Sequence, residues 1–352
     1  MGNDSHSRPS PVKTLPWLTD ALPAGEPPLL LAPMAGFTDA PTRLIARQHG
    51  AATTYTEMVN ALGIARRDPP SLQLLETLPG EAPVVAHLYG TDPEAFAAAA
   101  EIVTALDRFV AIDLNCGCPA PRVTQSGAGA ALLENPSQIG RIIAAIRCHT
   151  HLPVTLKTRT GPDAERVTID EVVRIAADAG AAAITIHGRH RLQGHSGSVN
   201  YEAIERVVAT GLLPVIGNGG IRDQATAARM QATGVAALMP GWAAVGNPWL
   251  FRHEADPPVA TIAGTLRQHL DLAQTFKQHL QSRYPHTTSG PDVEQSLVLD
   301  FRTHFFRYLN GMRGVTTLRG SLSQLHSLAA IRQAVEEVLA NETSFRARVG
   351  RL

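Results

Sequence analysis

The feature that most constrains this chain is an alternation. Between residues 29 and 239, eight short apolar, β-branched runs are separated by longer stretches, most of them Ala-rich and of helical period. The runs occupy residues 29–33, 51–58, 83–88, 109–115, 153–158, 181–187, 213–218 and 235–239. Amphipathic helices are predicted over 92–107, 136–147, 168–179, 201–209 and 222–232, and Asp92-Pro93 and Asn135-Pro136 set a capping side chain just before a proline. Strands that are apolar throughout, rather than alternately, belong in a parallel sheet covered on both faces. Eight such units over roughly 220 residues match a closed (β/α)₈ TIM barrel better than an open doubly wound sheet.

After residue 250 the alternation stops. Helical stretches at 261–283, 293–309 and 321–339, with a polar loop at 286–291, predict a C-terminal all-α domain over 251–352, behind a barrel domain at 29–250. The first 28 residues are polar and Pro-rich with no apolar h-region, so they are expected to be a poorly ordered extension and not a signal peptide. Nowhere do about eighteen uncharged apolar residues run together, so no membrane span is expected. With 44% hydrophobic residues the chain carries a large core, which excludes a disordered or fibrous protein. Three cysteines cannot staple 352 residues, which points to a reducing compartment, the cytoplasm.

A (β/α)₈ barrel carries its chemistry at the C-terminal ends of its strands. Every predicted strand here ends in polar, glycine or chemically distinctive residues: Pro33-Met34-Ala35-Gly36, Glu57-Met58, His87, Asn115-Cys116-Gly117-Cys118, Lys157 and Arg159, His187-Gly188-Arg189, Asn218-Gly219-Gly220, and Gly241-Trp242. Glycines after strands seven and eight let backbone N–H groups approach an anion, so a phosphorylated ligand is expected there. Lys157 is one of three lysines against 28 arginines and lies inside an apolar strand. A lysine at a barrel mouth needs a negative or developing negative group, either a carbonyl for a Schiff base or the charged edge of a reduced flavin. Cys118 lacks the second cysteine pair that zinc requires, so no metal is expected. A thiol is mostly protonated at neutral pH, and Cys118 is a proton donor or a nucleophile. Residues 185–200 and 301–320 are rich in Arg and His and contain no acid; such runs are usually solvated faces, yet here they flank the mouth and form the tail.

In order, Ala32-Pro33-Met34-Ala35-Gly36-Phe37-Thr38-Asp39, Asn115-Cys116-Gly117-Cys118-Pro119 with Gly127-Ala128-Gly129-Ala130, Lys157-Thr158-Arg159-Thr160-Gly161, Ile186-His187-Gly188-Arg189 and Gly246-Asn247-Pro248-Trp249 resemble the motifs of the tRNA-dihydrouridine synthases, most closely the bacterial B-type. The resemblance covers residues 29–339. It implies an FMN-bound barrel and a helical tRNA-binding domain, with NADPH as reductant and tRNA as substrate; a monomer is the expectation for the chain itself. It implies further that Pro33, Met34, Ala35, His87, Lys157, His187, Asn218, Gly219, Gly220, Gly241 and Trp242 hold the flavin and that Asn115 orients the target uracil. In the same scheme Arg159, Arg189, Arg302, Arg307 and Arg313 face RNA, and Cys118 protonates C5 while hydride reaches C6. His87 and Trp242 depart from the family pattern, which has glutamine and arginine there; the second change removes a cation from the phosphate end. Two alternatives stay open: a flavin barrel reducing a free small molecule such as a pyrimidine base, and an RNA-binding paralogue without catalysis. The uridine position, the choice of NADPH over NADH and the oligomeric state are not fixed by these residues.

The chain's total charge of zero, 31 basic against 31 acidic groups, hides a division. Residues 1–250 carry 19 basic and 22 acidic groups, and residues 251–352 carry 12 and 9, so the tail is the basic part, as RNA binding requires.

Overall fold

The computed structural model describes Leu15 and residues 27–254, 257–285, 287, 293–310 and 327–340. Eight parallel strands follow one another in chain order: β1 (Leu30–Leu31), β2 (Thr53–Tyr55), β3 (Val84–Tyr89), β4 (Ala111–Cys116), β5 (Val154–Arg159), β6 (Ala183–His187), β7 (Val215–Asn218) and β8 (Ala237–Met239). A short further segment, Val59–Asn60, pairs with the far end of β3 and continues β2 past a break. The sheet closes where Leu29 bridges Leu238 and the Ala32 N–H donates to the Pro240 carbonyl at 3.0 Å. Each of the eight predicted runs holds one strand, so the fold is the (β/α)₈ barrel with a helical C-terminal region.

Side-chain alternation along the strands explains why the mouth is polar. Leu30, Val85, Ala111, Ala183 and Ile216 form a buried cluster inside the barrel, joined by Leu15 from the N-terminal segment. Two residues further along each strand the same inward face carries His87, Asp113 and Thr185, and two further still Asn115 and His187, because the pleat repeats every second residue. The apolar floor thus gives way to a polar mouth within two layers. The outward faces build the larger core against the helices, with Ile112, Leu114, Leu156 and Ile184 wholly buried against Phe96, Ile139, Ile143 and Val172.

Asp92 caps its helix by accepting from the Glu94 N–H at 3.0 Å, as the sequence predicts. Asn135 does not cap the next helix. It also closes the preceding 3₁₀ turn, and its side chain accepts from the Ser137 hydroxyl at 2.7 Å instead. Two five-residue helices, Ala61–Ala65 and Pro69–Gln73, are too short to show a period and went unpredicted.

The tail packs helices Val259–Arg283, Val293–Tyr308 and Leu328–Ala340 around their own core of Leu266, Leu270, Phe301, Phe305 and Ile331. Trp249 enters this core while Phe251, two residues on, remains in that of the barrel, so the two parts interlock at the junction. Among the described residues no helix is long and apolar enough to cross a membrane.

Candidate active site at the barrel mouth

A cavity of about 1240 Å³ opens at the C-terminal ends of the strands. Pro33, Met34, Ala35, His87, Asn115, Cys118, Lys157, Arg159, His187, Arg189, Asn218, Gly219, Gly220, Gly241 and Trp242 all line it, so the structure brings together every site residue the sequence marks within the barrel. Arg302 and Arg307 lie on the second tail helix, outside the cavity lining, and Arg313 falls outside the described residues.

The loop carrying Cys118 is held from both sides. The Asn115 Oδ1 accepts from the N–H groups of Gly117 and Cys118, both at 3.0 Å, which folds the chain back at the end of β4. The Cys118 carbonyl accepts from the Ala130 N–H at 3.0 Å, and Gly129 must be glycine: its φ is +60°, and a Cβ there would lie 2.7 Å from that same carbonyl. The result is a half-buried thiol facing the cavity, whereas Cys116 is fully buried and burial pushes its thiol far up, out of reach of chemistry at neutral pH.

Beside this loop, starting on the neighbouring strand β5, is a concentration of positive charge. Lys157 donates to the Asn218 Oδ1 at 2.9 Å, and the Asn218 Nδ2 donates in turn to the Met239 carbonyl at 2.6 Å, so three strands aim the ammonium. Burial and then the neighbouring Arg159 push Lys157 down to about 8. Burial likewise takes Arg159 to about 10, still protonated at neutral pH. Arg159 bonds the carbonyls of Gly117 (2.6 Å), His190 (3.2 Å) and Gly194 (2.7 Å), which ties the Cys118 loop to the loop after β6. Burial, reinforced by Lys157, Arg159 and Arg189, holds His187 well below its ordinary value, and its Nδ1 is buried without a partner. The carboxylate that acts on Lys157 is Asp113, one layer deeper, where it receives the His87 Nδ1 at 2.6 Å and the Thr155 hydroxyl at 2.5 Å. That bond fixes the inner ring nitrogen of His87, leaving the Nε2 side toward the cavity.

Met58, marked in the sequence at the end of the second strand, also lines the cavity and accepts from the Asn115 Nδ2 at 3.6 Å through its sulfur. Arg122, Gln125 and Arg222 line it as well and escaped the sequence reading. Arg122 and Gln125 follow Cys118 within seven residues; their nearness to the signature loop was the available signal.

One cluster of metal-ligating type occurs among the described residues, away from the cavity: Asp39, His269 and His304 bring polar atoms within 4.8 Å of one another where the barrel meets the tail. Here Asp39 caps the helix Ala40–Gln48 through Thr42, and His269 lies between the Thr42 hydroxyl (3.3 Å) and the Tyr308 hydroxyl (3.1 Å). The hydrogen bonds and ring contacts of these side chains make a seam between the two parts.

The closed parallel barrel and the cationic, glycine-edged cavity at its C-terminal mouth define a (β/α)₈ barrel protein with an enzyme-type site. The sequence model of the Dihydrouridine synthase (Dus) family matches residues 30–344, and the chain belongs to that family. It is 36% identical over 261 residues to tRNA-dihydrouridine synthase B of Xanthomonas campestris pv. campestris, covering 71% of this chain and 78% of the relative. It is 40% identical over 227 residues to tRNA-dihydrouridine synthase B of Yersinia pestis, covering 64% and 70%.

Proposed function

We propose that this protein reduces uridines in tRNA to 5,6-dihydrouridine with a bound FMN, NADPH being the source of electrons. One observation carries the reading: the Cys118 thiol, the Lys157 ammonium and the paired glycines after β7 face a single cavity. The donor set suits FMN. Lys157 offers a cation to an electron-rich ring edge, His187 offers an orphaned buried nitrogen, and Gly219 and Gly220, at φ of +105° and +71°, leave their N–H groups open to a phosphate. A Cβ on Gly219 would touch the His187 ring at 3.2 Å, so that wall has no room for a side chain.

When bound, the reduced flavin supplies the hydride that reaches C6 of the uracil. The chain's own residues do the rest. Cys118 gives its proton to C5, so the C5=C6 double bond gains one hydride and one proton, and the thiolate is reprotonated from solvent. Asn115 holds the Cys118 loop through its Oδ1, and with one Nδ2 hydrogen on the Met58 sulfur the other is left to orient the base. Confining base and cofactor in one cavity supplies the proximity a two-part transfer requires. A base in folded tRNA must leave its stack to enter so deep a cavity. The basic tail is the part that docks the RNA.

In the test, Cys118→Ala is purified with its flavin and given NADPH and unmodified tRNA. The reading expects FMN content equal to that of the wild-type protein and uridine reduction slower by roughly 10²- to 10⁴-fold, the range of a general acid. Undiminished turnover removes Cys118 from the acid role. A colourless protein that cannot be reconstituted with FMN removes the reading altogether.

A further inference from the structure

Trp242 follows Gly241 in the turn just after β8, and its side chain does not withdraw into the barrel. It is 39% exposed, the only aromatic side chain among the strongly exposed large apolar residues described. Leaving an indole in water forgoes the burial that normally fixes tryptophan in a protein. Two contacts hold it. The Phe37 ring meets it edge-on, with centroids 4.8 Å apart, and the Arg307 guanidinium lies 5.0 Å from its ring centre. Phe37 comes from the loop after β1 and Arg307 from the second tail helix, so the indole occupies the corner where cavity rim and tail meet. Arg307 makes no ion pair among the described residues, unlike Arg267, Lys277 and Arg332 of the same tail, which bond Glu336, Asp300 and Asp271. Its charge is thus uncompensated beside a flat, partly open aromatic surface. Unstacked nucleobases bind to such a pairing of planar guanidinium and ring, and a phosphate binds to the cation.

We propose that Trp242 and Arg307 form a docking platform for the tRNA nucleotide next to the reduced uridine, its base against the indole and its phosphate on Arg307. The inference rests on the function proposed above and assigns the exposed indole to RNA, leaving the Gly241 backbone to the cofactor. Extracting one base from a stack exposes its neighbour, and a platform at the rim gives that neighbour a new surface.

The experiment compares full-length, flavin-loaded wild-type protein with Trp242→Ala, Trp242→Phe and Arg307→Gln, measuring the affinity for an unmodified tRNA transcript across a salt series and the FMN dissociation constant. Trp242→Ala is expected to weaken tRNA binding roughly tenfold, the loss of one base stack, with FMN affinity within twofold of wild type. Trp242→Phe, which keeps an aromatic face, stays within about threefold for tRNA. Arg307→Gln lowers the salt slope by about one, the removal of one phosphate contact. Wild-type tRNA affinity in Trp242→Ala overturns the inference, as does loss of FMN with RNA affinity unchanged, which would assign the indole to the cofactor. If the wild-type protein itself shows no salt-sensitive tRNA binding, the proposed function fails and this inference with it.

Discussion

The barrel mouth and the seam between barrel and tail are both polar, buried and rich in histidine, yet they are built on opposite plans. At the mouth, Lys157, Arg159 and Arg189 crowd together around a histidine whose Nδ1 has no partner, and no carboxylate is among the residues lining the cavity. At the seam, Asp39, Thr42, His269 and Tyr308 form a connected chain of hydrogen bonds, closed over by the rings of Phe301 and His304. The mouth keeps cations waiting for a charge the protein does not supply; the seam satisfies most of its own groups. Unpartnered buried charge is costly, so the first arrangement makes sense as ligand binding and the second as stability.

That contrast breaks down if substitutions at the mouth unfold the protein or those at the seam release the ligand. Lys157→Met should have the largest effect: FMN affinity falls by roughly 30- to 100-fold, the loss of a charge-assisted contact, while the melting temperature of the flavin-free protein holds or rises. Equilibrium dialysis and thermal melts together check both halves. At the seam, Gly246→Ala puts a Cβ 2.4 Å from the backbone of Arg307 and Tyr308 at a φ of +64°. A destabilisation of about 2 to 4 kcal/mol is expected in denaturant melts, with FMN affinity little changed.

Two pH effects are smaller and sharpen the same contrast. Burial, then the neighbouring His304, pushes His269 down to about 3, so its native form is neutral while the unfolded chain binds its proton near the ordinary histidine value. The unfolded state therefore takes up more protons as pH falls below about 6.5, and stability must decline from there toward pH 3. His304, held low chiefly by its own burial, acts in the same direction. Thermal melts from pH 7.5 to 5 should fall more steeply for wild type than for His269→Gln. At the mouth, Lys157 loses its charge as pH rises through about 8, so the flavin-free protein should take up FMN less tightly at pH 9 than at pH 7, and Lys157→Met should show a flatter dependence.

The two regions also differed in how far the sequence disclosed them. The mouth was legible because strand ends come at fixed intervals and each carries a residue type with little reason to be there otherwise. Lys157 in an apolar run and Gly219-Gly220 after another are signals a single chain can show. The seam was not legible. Asp39 and His269 are 230 positions apart, and nothing local in either segment says that Thr42 will bridge them. The bonding of Arg159 was hidden for a related reason: its three carbonyl partners belong to loops whose paths depend on Gly117 and Gly194. The family resemblance makes Trp242 a flavin contact, and only packing shows its ring beside Phe37 and Arg307.

The central claim is that the cavity at the barrel mouth adds two hydrogens to uridine in tRNA, and it can be tested in one reaction. Purified protein, FMN and NADPH are incubated with an unmodified tRNA transcript, which is then digested and its fragments weighed. The account predicts a specific fragment heavier by two hydrogens, formed in step with NADPH oxidation and absent with Cys118→Ala. Oxidation of NADPH with a free pyrimidine base while every tRNA fragment keeps its mass would contradict it.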